Sequence, residues 1–114
     1  MTVQEIAQKL TELCHAGNFT EAYNTLFADH AKSIEPDGTT AEGMVAIHKK
    51  SDNFGKDVQL VKCEIGDVLI AGNYFTMIQT YHSIIRATGE KKKMKEIAVY
   101  KVVDGKIVEE RFFY

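Results

Sequence analysis

The hydrophobic period of this chain changes once, near Asp57, and that switch restricts the fold more than any single motif. Before it, apolar residues recur every three to four positions; after it, they alternate. Val3, Ile6, Ala7, Leu10, Leu13 and Cys14 mark one helix, opened by a Thr2/Glu5 capping box and stopped at Gly17. A second, shorter helix covers about Thr20 to Phe27 and buries some of Ala22, Tyr23, Leu26 and Phe27. Lys32 to Glu35 suits a brief strand running into a rigid Pro36-Asp37-Gly38 turn. A second capping box, Thr39 with Glu42, predicts a third helix to about Asp52, with Met44, Ile47 and His48 as its inward candidates.

The alternating half predicts four long strands. The first spans Val58 to Ile70, with a bulge expected at Gly66-Asp67. Ala71-Gly72-Asn73 turns into a strand from Tyr74 to about Arg86. Thr88-Gly89-Glu90 turns into Lys93 to Val103, and Asp104-Gly105, the strongest hairpin signal in the chain, turns into Lys106 to Tyr114. Helices followed by a meander of strands this long give an α+β fold. The strands must twist and bend around the helices to cover one apolar face, making a cone-shaped, mostly antiparallel β-sheet with an internal pocket.

At 114 residues the chain is expected to be one domain, residues 1–114. A formal net charge of −2 gives no electrostatic reason for a nucleic-acid or membrane partner. No run of residues is apolar for long enough to span a bilayer, and the first residues lack a signal-peptide layout. The two cysteines, Cys14 and Cys63, suit reduced thiols in a cytoplasmic protein. The four histidines have no metal-ligand spacing, and no phosphate loop or nucleophile elbow occurs, so neither metal nor cofactor is expected. The cluster Lys91-Lys92-Lys93 with Lys95 reads as a solvated hairpin end.

Five landmarks in order resemble the nuclear transport factor two-like superfamily, which includes SnoaL-like cyclases and ketosteroid isomerases. They are Ala16-Gly17-Asn18, Leu26 to Ala31, Glu35-Pro36, Gly43 to Ile47, and Asp104 to Val108. The resemblance implies a cystatin-like α+β cone with a ligand-binding pocket. It leaves the reaction open, because one fold hosts many functions. In the isomerases the general base is an aspartate before a proline, and Glu35 takes that position here. Their oxyanion-hole tyrosine falls at about Leu10 and their protonated aspartic acid at about Ala98. Both donors are missing, so the resemblance implies a protein that is not a true ketosteroid isomerase.

The candidate catalytic residues are Glu35, Glu96 and Tyr100. Glu35 is either a general base raised in pKa by an apolar pocket or a surface carboxylate at a turn. Met94, Glu96, Ala98, Tyr100 and Val102 share one strand face, expected to be concave. Glu96 there is either a second pocket carboxylate, paired as acid or base with Glu35, or a rim residue held by a lysine. Tyr100 is a hydrogen-bond donor or a core filler. Phe75, Met77, Gln79 and Tyr81 share a face too, where Gln79 either orients a ligand or is a satisfied core amide. Leu10, Tyr23, Gln79 and Ala98 are the expected substrate pocket. His48 and His82 read as surface or rim, with proton shuttling as the other reading.

Two classes of function follow: a binding protein for a small apolar molecule, or a cofactor-independent isomerase, cyclase or dehydratase acting on a carbonyl compound through Glu35. A protein-interaction module ranks last. The apolar ending Arg111-Phe112-Phe113-Tyr114 sends one phenylalanine to each face. Proteins resembling this one often pair through the sheet's outer face, which implies a homodimer.

Overall fold

A computed structural model describes all residues 1–114. Three helices, α1 (Val3–His15), α2 (Phe19–Leu26) and α3 (Met44–Asp57), accompany strands β1 (Phe27–Ile34), β2 (Thr40–Glu42), β3 (Val58–Ala71), β4 (Tyr74–Ile85), β5 (Lys91–Val103) and β6 (Lys106–Phe113). The strands form one curled, unclosed sheet in the order β2-β1-β6-β5-β4-β3. All pairings are antiparallel except β1 with β6, which is parallel. The α+β architecture expected from the sequence is therefore present, with a mixed sheet. No helix is long and apolar enough to cross a membrane.

Helix α1 begins at Thr2, where both halves of the capping box form, and buries Ile6, Ala7, Leu10, Leu13 and Cys14 against the sheet. The second capping box is a correction to the sequence reading. Thr40–Glu42 is the short edge strand β2, and α3 starts only after Gly43 and runs to Asp57. Gly43 has φ +85° and donates its N–H to the Ala31 carbonyl at 2.8 Å, so the helix start is pinned to β1. Pairing of β2 with β1, through Lys32–Glu42 to Ile34–Thr40, outweighs the local capping signal. The brief strand expected at Lys32 to Glu35 is likewise the second half of the longer β1.

The alternation of the second half is confirmed strand by strand. Asp104 and Gly105 both have positive φ, as the tight β5–β6 hairpin requires. In β3, Gly66 and Asp67 together face Ile78, the expected bulge; a Cβ on Gly66 would lie 3.4 Å from that of Ile78. A second irregularity, at Val61, is new. Together the two shifts keep Leu60, Cys63, Ile65 and Val68 on the core side despite their uneven spacing, while the strand bends around α1. Cys14 and Cys63 are both buried, unbridged thiols, and burial pushes Cys63 up to about 12.

Candidate functional site

Cross-strand register stacks the inward side chains in rows. Phe75, Tyr100, Glu110 and Ser33 form one row across β4, β5, β6 and β1. Met77, Ala98 and Phe112 form the next, and Ile65, Gln79 and Glu96 the one after. Two carboxylates thus face into the cone, beside the buried polar side chains Ser33 and Gln79. Glu96 is 6% and Glu110 2% exposed. Burial pushes each up to about 7, helped by repulsion from Glu35 and, for Glu96, from Glu110. Polar neighbours oppose the shift: the Tyr81 hydroxyl at Glu96, and at Glu110 hydrogen bonds from Ser33 and Tyr23 together with the positive charge of Lys50.

The partners of Glu110 are well placed. The Ser33 hydroxyl donates to Oε1 at 2.7 Å and the Tyr23 hydroxyl donates to the same oxygen at 3.1 Å. Oε2 is left for another partner. The Lys50 ammonium, reaching in from α3, donates to Ser33 Oγ at 2.8 Å and lies 2.5 Å from Glu35 Oε1 and 5.1 Å over the Phe112 ring. Tyr114 donates to the other Glu35 oxygen at 2.7 Å, and that bond pushes the tyrosine up to about 12.

On the other side of the cone, Gln79 is the hub. Its Nε2 donates to the Tyr100 hydroxyl at 2.8 Å, and its Oε1 accepts from Tyr81. Tyr100 stacks on Phe75 with centroids 4.8 Å apart. Burial and the Glu110 charge hold the Tyr23 and Tyr100 hydroxyls well above the ordinary tyrosine range, so both stay protonated.

Between these groups lies a cavity of about 30 Å³, lined by Leu10, Cys14, Phe19, Ala22, Tyr23, Phe27, Gln79, Tyr81, Tyr100, Glu110 and Phe112. That space suits one or two water-sized groups. It lies beside the half-buried Phe19, Tyr23 and Tyr81.

Of the residues singled out from the sequence, Leu10, Tyr23, Gln79 and Tyr100 line this cavity, whereas Glu35, Glu96 and Ala98 do not. Glu96 is on the concave face as expected, beside Tyr81 rather than a lysine. Ala98 is fully buried in the row between the two carboxylates. Glu35 sits just past the end of β1 with its side chain 22% exposed, engaged by Lys50 and Tyr114 instead of apolar walls. His48 bonds Asn24 at 2.9 Å, and His82 lies 2.6 Å from Glu64 on the outside of the sheet. Sequence reasoning missed Glu110, Ser33 and Lys50. Alternation alone carried the signal for Glu110, which shares a strand face with Phe112. No set of three His, Cys, Asp or Glu side chains is gathered to hold a metal ion.

Comparison with known proteins agrees with this geometry at the level of the fold. A model of the SnoaL-like domain matches residues 1–114. A candidate SnoaL-like polyketide cyclase from Mesorhizobium loti, also described as a carbohydrate phosphatase, is 31% identical; the match covers 100% of both chains, with a TM-score of 0.91. An NTF2-like protein from Burkholderia thailandensis is 18% identical over 99% of this chain and 90% of its own, TM-score 0.85. A ketosteroid isomerase-like fold from Catenulispora acidiphila, solved with trimethylamine, is 19% identical over 99% and 87%, TM-score 0.81. Among curated proteins, none matches the sequence.

Proposed function

The chain belongs to the SnoaL-like domain family, and from that premise we propose that it binds a small, largely apolar carbonyl compound in the cone and exchanges a proton with it at Glu110. The carrying observation is the Glu110 carboxyl itself. It is buried and borders the cavity, with Oε1 held by two hydroxyls and Oε2 left to meet a ligand. When protonated, Glu110 donates through Oε2 to the ligand carbonyl. The reacting end of the ligand occupies the cavity and the remainder lies along Phe19, Tyr23 and Tyr81.

The proposal differs from ketosteroid isomerase chemistry. The resemblance puts the oxyanion donors of those enzymes at about Leu10 and about Ala98, which have no donor to offer. Glu35, the general base singled out in the sequence, instead serves as the outer anchor of Lys50.

Thermal melts with a panel of neutral cyclic and aryl ketones, such as cyclohexanone, acetophenone and indanone, test the proposal. A ligand at a hundred times its Kd stabilises by about 2.7 kcal/mol, a rise of roughly 10 °C for a domain this size. At least one ketone is expected to produce such a rise, and Glu110→Ala to remove it. No stabilisation across the panel would contradict the proposal.

A further inference from the structure

We propose that Lys50 and Ser33 form a proton path that connects Glu110, deep in the cone, to solvent at its mouth. The path is continuous in hydrogen bonds. Lys50 Nζ donates to Ser33 Oγ at 2.8 Å, and Ser33 Oγ donates to Glu110 Oε1 at 2.7 Å. Lys50 is the most exposed member, its side chain being 34% exposed, and Glu35 holds it from outside. Ser33 is fully buried, so its hydroxyl meets no solvent of its own. The inference rests on Glu110 being the proton-carrying group of the site, because only such a group needs to be recharged.

Each transfer balances. Ser33 passes its hydroxyl proton to Glu110 Oε1 while Oγ takes one from the Lys50 ammonium, and a half-turn of the carboxyl about its Cγ–Cδ bond then exchanges the two oxygens, so that the protonated one faces the cavity. The resulting neutral amine regains its proton from water at the mouth. The sum is one proton moved from solvent to Glu110, and the reverse sequence discharges it. Ser33 is suited to this because a hydroxyl accepts and donates at once, which an apolar side chain of the same size cannot do. The charged and titratable groups facing Glu110 are Lys50 from α3, Tyr23 from α2, Cys14 from α1, Glu35 beyond β1, and Glu96 and Tyr100 from β5. Among them only Lys50 has a hydrogen-bonded route through Ser33.

The test is the exchange rate of the Glu110 carboxyl proton, read from the lineshape of its ¹³C-labelled carboxyl signal through a pH titration, with Glu110→Gln assigning the peak. Ser33→Ala is expected to slow exchange by roughly tenfold or more, Lys50→Gln to slow it similarly, and Ser33→Thr, which restores a hydroxyl, to recover it. A merely structural role would shift the midpoint of the titration and leave the rate alone. Wild-type exchange in both Ser33→Ala and Lys50→Gln would overturn the path while leaving Glu110 as the proton carrier. A Glu110 signal that does not titrate near neutrality would overturn both. Lys50 is half-exposed, so that variant reports even if Ser33→Ala fails to fold.

Discussion

Glu110 and Glu96 carry opposing demands. Burial raises both to about 7, while the hydroxyls of Ser33, Tyr23 and Tyr81 keep the ionised forms accessible. An acid whose folded pKa lies above its unfolded value binds more protons when folded. The folded state therefore loses stability as pH rises from about 4.5 through about 7. The loss is on the order of 3 kcal/mol for each group. Urea denaturation at successive pH values is expected to fall across this window for the wild type, and to fall much less for Glu96→Gln/Glu110→Gln. A wild-type curve that is flat or rising between pH 5 and 8 would contradict the burial of ionisable carboxylates argued above.

Residue by residue, the concave face of β5 was legible in the sequence because alternation assigns Glu96, Ala98 and Tyr100 to one side. Glu110 was not, because it lies among Glu109 and Arg111 in a run that reads as solvated, and its serine partner is 77 positions away. Glu35 drew attention through its proline, yet the turn holds it at the mouth beside Lys50, outside the apolar interior.

At the scale of elements, α3 delivers Lys50 to the site, and its position depends on Gly43. The glycine has φ +85°, and a Cβ there would lie 3.6 Å from the Asp29 carbonyl. The space is ordinary, so the cost of Gly43→Ala is conformational, about 1–3 kcal/mol. Gly55, within the same helix, has no positive φ and open space around it, so Gly55→Ala is expected to stabilise by about 0.5–1 kcal/mol. Opposite signs in paired denaturation curves would support the assignment of α3; a neutral Gly43→Ala would contradict it. The start of this helix escaped sequence reasoning for a related reason. Thr39 and Glu42 have the right spacing for a cap, but the residues are used as β2 to cover the edge of β1. The bulge at Gly66 was readable from its glycine, whereas the shift at Val61 has no such marker.

For the whole molecule, the exposed face of the sheet matters most. Ile78, Ile97 and Phe113 lie side by side on β4, β5 and β6, 39%, 47% and 49% exposed, with Leu69 nearby at 69%. An apolar row across the centre of a sheet is unfavourable to leave in water, and we propose that a second copy of the chain covers it, making an isologous dimer. Sedimentation equilibrium is expected to give twice the chain mass for the wild type and a monomer for Ile97→Lys. A monomeric wild type would contradict the proposal. The overall cone was legible because four strands declare themselves by alternation and turns. The parallel pairing of β1 with β6 was not, since nothing local links Phe27 to Ile107.

The proposed function turns on Glu110 meeting the ligand carbonyl in its neutral form. Calorimetric titration of the most stabilising ketone at pH 6 and pH 8, in the wild type and in Glu110→Gln, tests it most directly. With a midpoint of about 7, the neutral fraction falls about tenfold across that range, and wild-type affinity is predicted to fall with it. Glu110→Gln is predicted to bind equally at both values. A wild-type affinity that does not change between pH 6 and pH 8 would contradict the account.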